Sequence, residues 1–223
     1  MNLKNIFRSQ TKLEKTILDQ IKTADKELRL GYQVIEKYPR SVSILGSARY
    51  KSDNIYYQKA ESLGKRIVKD LGYTVVTGGG PGIMEAANKG AFEAQGKSIG
   101  FGIKLPMEQK LNPYLTESVN FEYFFTRKTL LFFAAEAYVY YPGGFGTADE
   151  LFGVLTLMQT GEISQAPVIL VGSEFWTPLM KTIEKEMLDD EQTISPTDTK
   201  LYRIVDSEDE IISIIKAAKL RND

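Results

Sequence analysis

From residue 41 onward the apolar positions fall into short runs with little alternation. SVSILG (41–46), YTVVTGGG (73–80), KSIGFGI (97–103), AYVYY (137–141) and PVILVG (167–172) read as strands, and LYRIV (201–205) as a weaker one. Between them apolar residues recur at helical spacing. This predicts helices over 54–70, 81–96, 122–136, 147–160 and 175–188, and a last one from Ser207. Strands apolar on both faces and separated by helices belong to a parallel sheet covered on both sides. The expected fold is α/β, a doubly wound, mainly parallel, Rossmann-like sheet occupying residues 41–223 as one domain.

The first forty residues keep a different rhythm. Ile17, Ile21, Ala24, Leu28, Gly31, Ile35 and Tyr38 put one apolar stripe on a long helix that ends before Pro39. Thr11 and Glu14 have capping-box spacing at its expected start. Residues 1–40 are therefore read as an N-terminal helical extension. Its stripe packs either on the protein's own core or against another subunit. Nine Lys/Arg against five Asp/Glu give this segment a local charge of +4, the pattern of a solvated helix face.

Composition narrows the chemistry. The 223 residues are 43% hydrophobic, enough for a sizeable core, and carry 28 basic against 29 acidic side chains. Without a basic excess no nucleic-acid partner is expected. LLFFAA (130–135) is far shorter than the ~20 apolar residues of a membrane span, and MNLKNIFRSQ lacks the apolar centre of a signal peptide. Cysteine and histidine are both absent. That excludes disulfides, a thiolate nucleophile, a Ser-His-Asp triad and Cys/His metal sites. The expectation is a cytoplasmic protein without metal, acting through carboxylates, Arg, Lys, Tyr, hydroxyls and backbone amides.

Two strands end in dense glycine turns, TGGGPGIME (77–85) and YPGGFGTADE (141–150). In a parallel sheet both turns lie at the carboxyl edge, where ligands bind, and each leads into a helix N-terminus that favours an anion. Neither has the G-x-G-x-x-G spacing of a dinucleotide site, and no Gly-Lys-Ser/Thr follows to make a P-loop. The spacing alone points to a phosphate-bearing small molecule. Pro81 reads as a first-turn helix proline. Glu150 has two open roles, because Thr147 and Glu150 form a capping-box spacing while the same carboxylate could serve catalysis. Arg127, in the otherwise apolar FFTRKTLLFF, calls for a carboxylate or a ligand phosphate if buried. Phe121, Tyr123, Phe124 and Phe125 either floor a base pocket or belong to the core.

GGGPGIMEAA, FFTRK and PGGFGTADE together resemble the LONELY GUY family of cytokinin-activating phosphoribohydrolases, many once labelled "possible lysine decarboxylase". The resemblance spans roughly residues 41–190. The PGG-x-GT-x-x-E motif is matched in full at Pro142, Gly143, Gly144, Gly146, Thr147 and Glu150, whereas Ile83-Met84-Glu85 departs from the Leu-Met-Gly of many plant members. The resemblance implies hydrolysis of the N-glycosidic bond of a nucleoside 5′-monophosphate, with no cofactor, by a homo-oligomer. It maps the catalytic pair onto Arg127 and Glu150, and phosphate binding onto Gly79, Gly80, Gly144, Gly146 and Thr147. Gly46, Ser47, Lys128 and Met107 are further candidates for substrate contact. A pyridoxal-dependent decarboxylase is disfavoured, because Lys128 lacks the surroundings of a Schiff-base site. The competing reading is a carrier of a nucleotide or pterin-type cofactor on the same fold.

Overall fold

The computed structural model describes residues 3–104 and 110–219, with side chains from residue 15 onward. Seven parallel strands form one sheet in the order β4-β3-β2-β1-β5-β6-β7. They are β1 (Ser41–Leu45), β2 (Thr74–Thr77), β3 (Ser98–Ile103), β4 (Glu117–Phe121), β5 (Ala137–Tyr140), β6 (Val168–Leu170) and β7 (Arg203–Ile204). The connecting helices are α2 (Ile55–Arg66), α3 (Ile83–Glu93), α4 (Phe124–Phe133), α5 (Phe145–Thr160), α6 (Ser173–Glu184) and α7 (Glu208–Ala217), preceded by α1 (Leu3–Lys37). This is the doubly wound α/β sheet expected from the apolar runs.

Both faces are covered. Val42, Ile44, Val75, Val139 and Ile169 pack with α2, α3 and α7 on one side. Tyr138, Tyr140 and Leu170 meet Leu151, Val154, Trp176 and Met180 of α5 and α6 on the other. There too, Val76, Phe101 and Phe121 pack with Leu130 of α4 and Val34 of α1. The apolar stripe of α1 is divided. Its C-terminal part joins this core through Leu28, Val34, Ile35 and Tyr38, whereas Ile17, Leu18 and Ile21 are exposed.

One strand is added and two local expectations are corrected. Strand β4, ESVNF, pairs only with β3 and alternates exposed with inward positions, so it lacks the continuous apolar signal of its neighbours. Helix α1 starts at Leu3, which puts Thr11 and Glu14 inside the helix and not at its cap. Pro81 lies outside α3, whose N-cap is Gly82.

Candidate active site

Strands β1 and β5 lie side by side at the middle of the sheet, and the chain runs outward from them in opposite directions. The loops beyond their carboxyl ends must part there, which opens a crevice at the switch point of the sheet. A cavity of about 850 Å³, the size of a small-molecule site, fills it. Its walls come from the loop after β1, the glycine turns after β2 and β5, the first turns of α4 and α5, and Phe175 and Leu179 of α6. The Ser47 amide donates to the Pro142 carbonyl at 3.0 Å, which ties the two switch-point loops together at their roots.

Helix N-termini at this edge differ in who satisfies their amides. Asn54 caps α2 by accepting from Tyr56 at 2.8 Å, and Ser207 caps α7 by accepting from Glu210. Asp206 accepts from the amides of Gly172 and Ser173 at 2.7 and 3.1 Å, so α6 is closed by the protein itself. Helices α3 and α5 begin at Gly82 and Gly144, neither of which supplies a side-chain cap. Helix α4 likewise has no side-chain cap at Tyr123, but α3 and α5 are the two that follow the glycine turns. The first amide of α3, that of Ile83, donates to the Ser47 carbonyl at 3.0 Å, whereas the first amides of α5 carry partial positive charge that an anion in the cavity would satisfy.

The glycines of the second turn divide by role. A Cβ on Gly143 would lie 2.2 Å from Thr147 Oγ1, so the turn itself requires that glycine. A Cβ on Gly144 or Gly146 would meet nothing within 4 Å. Both line the cavity, where their bare backbone leaves room for a ligand to approach.

The first turn is fixed from behind. Gly79 has φ +70°, and its amide donates to Thr77 Oγ1 at 2.9 Å, so that N–H points into the protein. Asn112 Nδ2 donates to the carbonyls of Gly79 and Gly80 and to Asn88 Oδ1, all at 3.0–3.1 Å. Asn88 in turn accepts from Thr77 Oγ1 at 2.6 Å and donates to Ser98 Oγ at 2.8 Å. Such a buried network, with its groups partnered, holds a turn in one shape. At Gly78 a Cβ would come within 2.3 Å of Arg127 Nη2, so this glycine lets the guanidinium lie against the turn.

Arg127 of α4 and Glu150 of α5 meet at the floor of the cavity. Arg127 Nη1 donates to Glu150 Oε1 at 2.7 Å, and each side chain is 12% exposed. Arg127 Nε donates to the Phe101 carbonyl at 2.8 Å. Burial pushes the Glu150 carboxyl above its ordinary pKa, even against the pull of Arg127. Thr147 is the third residue of α5, not its cap, and the Glu150 carboxylate turns to Arg127 instead of back toward the helix start. The capping-box alternative is thereby removed. Next to this pair runs a second one, Lys128 to Asp149 at 2.6 Å, on a more exposed surface.

Of the residues singled out from sequence, Arg127, Glu150, Gly46, Ser47, Gly80, Gly144, Gly146 and Thr147 line this one cavity. Gly79 stands behind it, Lys128 faces Asp149 and the Phe132 ring, and Met107 lies outside the described residues. Among the aromatics, Phe121 is core, Phe124 lines the cavity, and Tyr123 stacks on Phe125 beside α1. The sequence reading passed over Arg49, Tyr50 and Lys110, and the apolar wall of Phe145, Phe152 and Phe175. A third loop at a strand end, GSARY after β1, was the available signal for Arg49 and Tyr50. Among the described residues no group of three or more Asp/Glu side chains is arranged to hold a metal, and no helix is long and apolar enough to cross a membrane.

The profile of the family described as possible lysine decarboxylase matches residues 84–215, more than half of the chain. The chain belongs to this family, the LONELY GUY proteins. Among its relatives, a cytokinin riboside 5′-monophosphate phosphoribohydrolase of Rhodococcoides fascians is 29% identical over 151 residues, 66% of this chain and 75% of that protein. Another of that name from Arabidopsis thaliana is 29% identical over 163 residues, covering 72% and 74%. Solved structures of the same fold include a molybdenum cofactor binding protein from Rippkaea orientalis, with TM-score 0.59 and 22% identity over 79% of this chain and 94% of that one. The molybdenum cofactor carrier protein of Chlamydomonas reinhardtii gives TM-score 0.57 and 23% identity, over 79% and 96%. At those identities the likeness to this LONELY GUY chain is one of fold.

Proposed function

We propose that this protein hydrolyses the N-glycosidic bond of nucleoside 5′-monophosphates to a free base and ribose 5-phosphate. The observation that carries the proposal is a buried Arg127–Glu150 pair in the same cavity as the uncapped start of α5. The phosphate sits on the amides after Gly144, with Gly80 and Thr147 alongside and Arg49 within the same walls. Anchored there, the nucleotide brings C1′ to Glu150. Cleavage develops positive charge on the ribose, as in other glycoside hydrolyses. Glu150 stabilises that charge and orients the attacking water, while Arg127 holds the carboxylate in place. Water delivers its hydroxyl to C1′ and a proton to the base nitrogen. The apolar wall of Phe145, Phe152 and Phe175 suits the flat face of a base.

Relatives named as phosphoribohydrolases support this reading. The likeness of fold to molybdenum cofactor carriers favours the second, in which the cavity holds a nucleotide or pterin without turnover. A panel of nucleoside 5′-monophosphates and the matching nucleosides, assayed for free base, separates the two. Release from the monophosphates alone supports the hydrolase. Binding without release from any compound supports the carrier.

The proposal includes a homo-oligomer. Ile17 and Ile21 on α1 are 45% and 59% exposed, and they flank a groove with Tyr123 and Phe125. A second copy of the chain would bury them. Light scattering of Ile21→Lys against the parent protein tests this, with a smaller particle as the expected result.

A further inference from the structure

Glu27 of α1 is 6% exposed, a carboxylate sunk between α1 and the start of α4. Burying a charge is costly unless its hydrogen-bonding capacity is met. Both oxygens are met where the chain enters α4. Glu27 Oε1 accepts from the Glu122 amide at 2.5 Å, and Oε2 accepts from Thr126 Oγ1 at 2.6 Å. The Thr126 hydroxyl also lies 2.8 Å from the Tyr123 carbonyl, but it has one proton, and the charged acceptor is the stronger. Helix α4 has no side-chain cap of its own at Tyr123. Glu27 therefore tethers the entry of α4 from another helix, and a negative charge beside that helix start also complements the helix dipole.

The residue after Thr126 is Arg127. One turn further along α1, Gly31 lets the two helices touch, since a Cβ there would lie 2.1 Å from Leu130 Cδ1. Helix α4 is thus pinned to α1 at Thr126 and at Leu130, and Arg127 stands between the pins. We infer that Glu27 is a positioning residue for the reaction, setting through Thr126 the place from which Arg127 reaches Glu150. The inference rests on the proposed hydrolase reading for its kinetics only. Helix α1 lies before residues 84–215, so this contribution comes from outside the matched family region.

The test uses the 223-residue chain with Glu27→Ala, Glu27→Gln and Thr126→Val, assayed with AMP well below each variant's melting temperature. Glu27→Ala is expected to lower kcat by about 10- to 100-fold, since small displacements of a catalytic group are costly. KM should change little, because the phosphate is held by α5. Glu27→Gln keeps an acceptor and should fall between. Combining Glu27→Ala with Arg127→Ala should be no slower than Arg127→Ala alone, because one residue acts through the other. A second readout does not need turnover: solvent exchange of the Arg127 Nε–H, followed by NMR, should speed up in Glu27→Ala. Wild-type kcat and unchanged exchange in folded Glu27→Gln and Thr126→Val would overturn the inference. So would multiplicative losses in the double variant. If the parent protein hydrolyses no nucleotide, the hydrolase reading fails by itself, and the exchange measurement alone decides for or against Glu27.

Discussion

Arg127 Nη1 and Glu150 Oε1 are 2.7 Å apart, joining α4 to α5 beneath the cavity. The contact does more than neutralise two charges. The guanidinium is also fixed by the Phe101 carbonyl and lies against Gly78, so the carboxylate meets a partner that cannot swing away. A preorganised charge of this kind stabilises a transition state without first having to reorient.

Removing the charge while keeping the shape tests that role. Glu150→Gln should fold normally and lose about 100- to 1000-fold in kcat, the usual cost of one preorganised electrostatic group. Asp149→Asn is the control, because Asp149 is 63% exposed and bonds to Lys128 outside the cavity. Free-base release with circular dichroism on the same samples checks both. Near-normal turnover in Glu150→Gln would leave that carboxylate a structural role.

The pH profile should carry the mark of burial. Desolvation raises the Glu150 pKa, with Arg127 opposing it, and the ionised form is the one proposed to act. Activity is then full above this raised pKa and falls as pH drops through it. The acid limb of kcat/KM should therefore lie above the range of an ordinary glutamate, about 4.3. In Glu150→Gln the residual activity should lose that limb. A limb at or below the ordinary value would contradict the assignment.

Gly144 and Gly146 separate binding from stability. A methyl at either position meets no protein atom, and Gly146 lies in the first turn of α5. Replacing a helical glycine by alanine gains up to about 1 kcal/mol. Gly146→Ala should thus melt at or above the wild-type temperature. It should nonetheless bind AMP more weakly, because in the proposed site the methyl would stand where the phosphate approaches the amides. Gly143→Ala should behave oppositely, disturbing the turn through its clash with Thr147. Calorimetric binding beside thermal melts distinguishes the two variants. Wild-type affinity in Gly146→Ala would move the phosphate away from this turn.

The legible parts of the sequence were those governed by local pattern. Strands β1, β2, β3, β5 and β6 are buried on both faces, so continuous apolar runs announced them, and the glycines marked the turns that follow β2 and β5. Strand order is not local. Without it the loop after β1 could not be recognised as half of the switch point, and Arg49 and Tyr50 went unnoticed. The capping-box spacing misled at Thr11 and left two roles open at Thr147, because S/T-x-x-E spacing occurs equally well inside a helix. Glu150 remained ambiguous for the same reason. Its partner sits 23 residues earlier in the chain, and only the packing of α4 against α5 brings the two together.

Helices α2 and α3 approach each other through two glycines, and here substitution should damage stability and not binding. A Cβ on Gly90 would lie 1.9 Å from the Glu61 carbonyl oxygen, and one on Gly64 would lie 2.3 Å from the Ala87 carbonyl oxygen. Both obstacles are backbone, so no rotamer change can relieve them, and the helices must part. Overpacking of this kind costs about 1–3 kcal/mol and outweighs the helix propensity that alanine adds. Gly90→Ala should lower the melting temperature while AMP affinity per folded molecule stays near wild type, because α3 meets the cavity only at its opposite end. The double variant Gly64→Ala/Gly90→Ala should cost less than the sum of the singles, since separating the helices for one methyl makes room for the other. Denaturant unfolding of the four proteins measures that shortfall. Strict additivity would mean that the two methyls are accommodated independently and that α2 and α3 do not move apart as one contact.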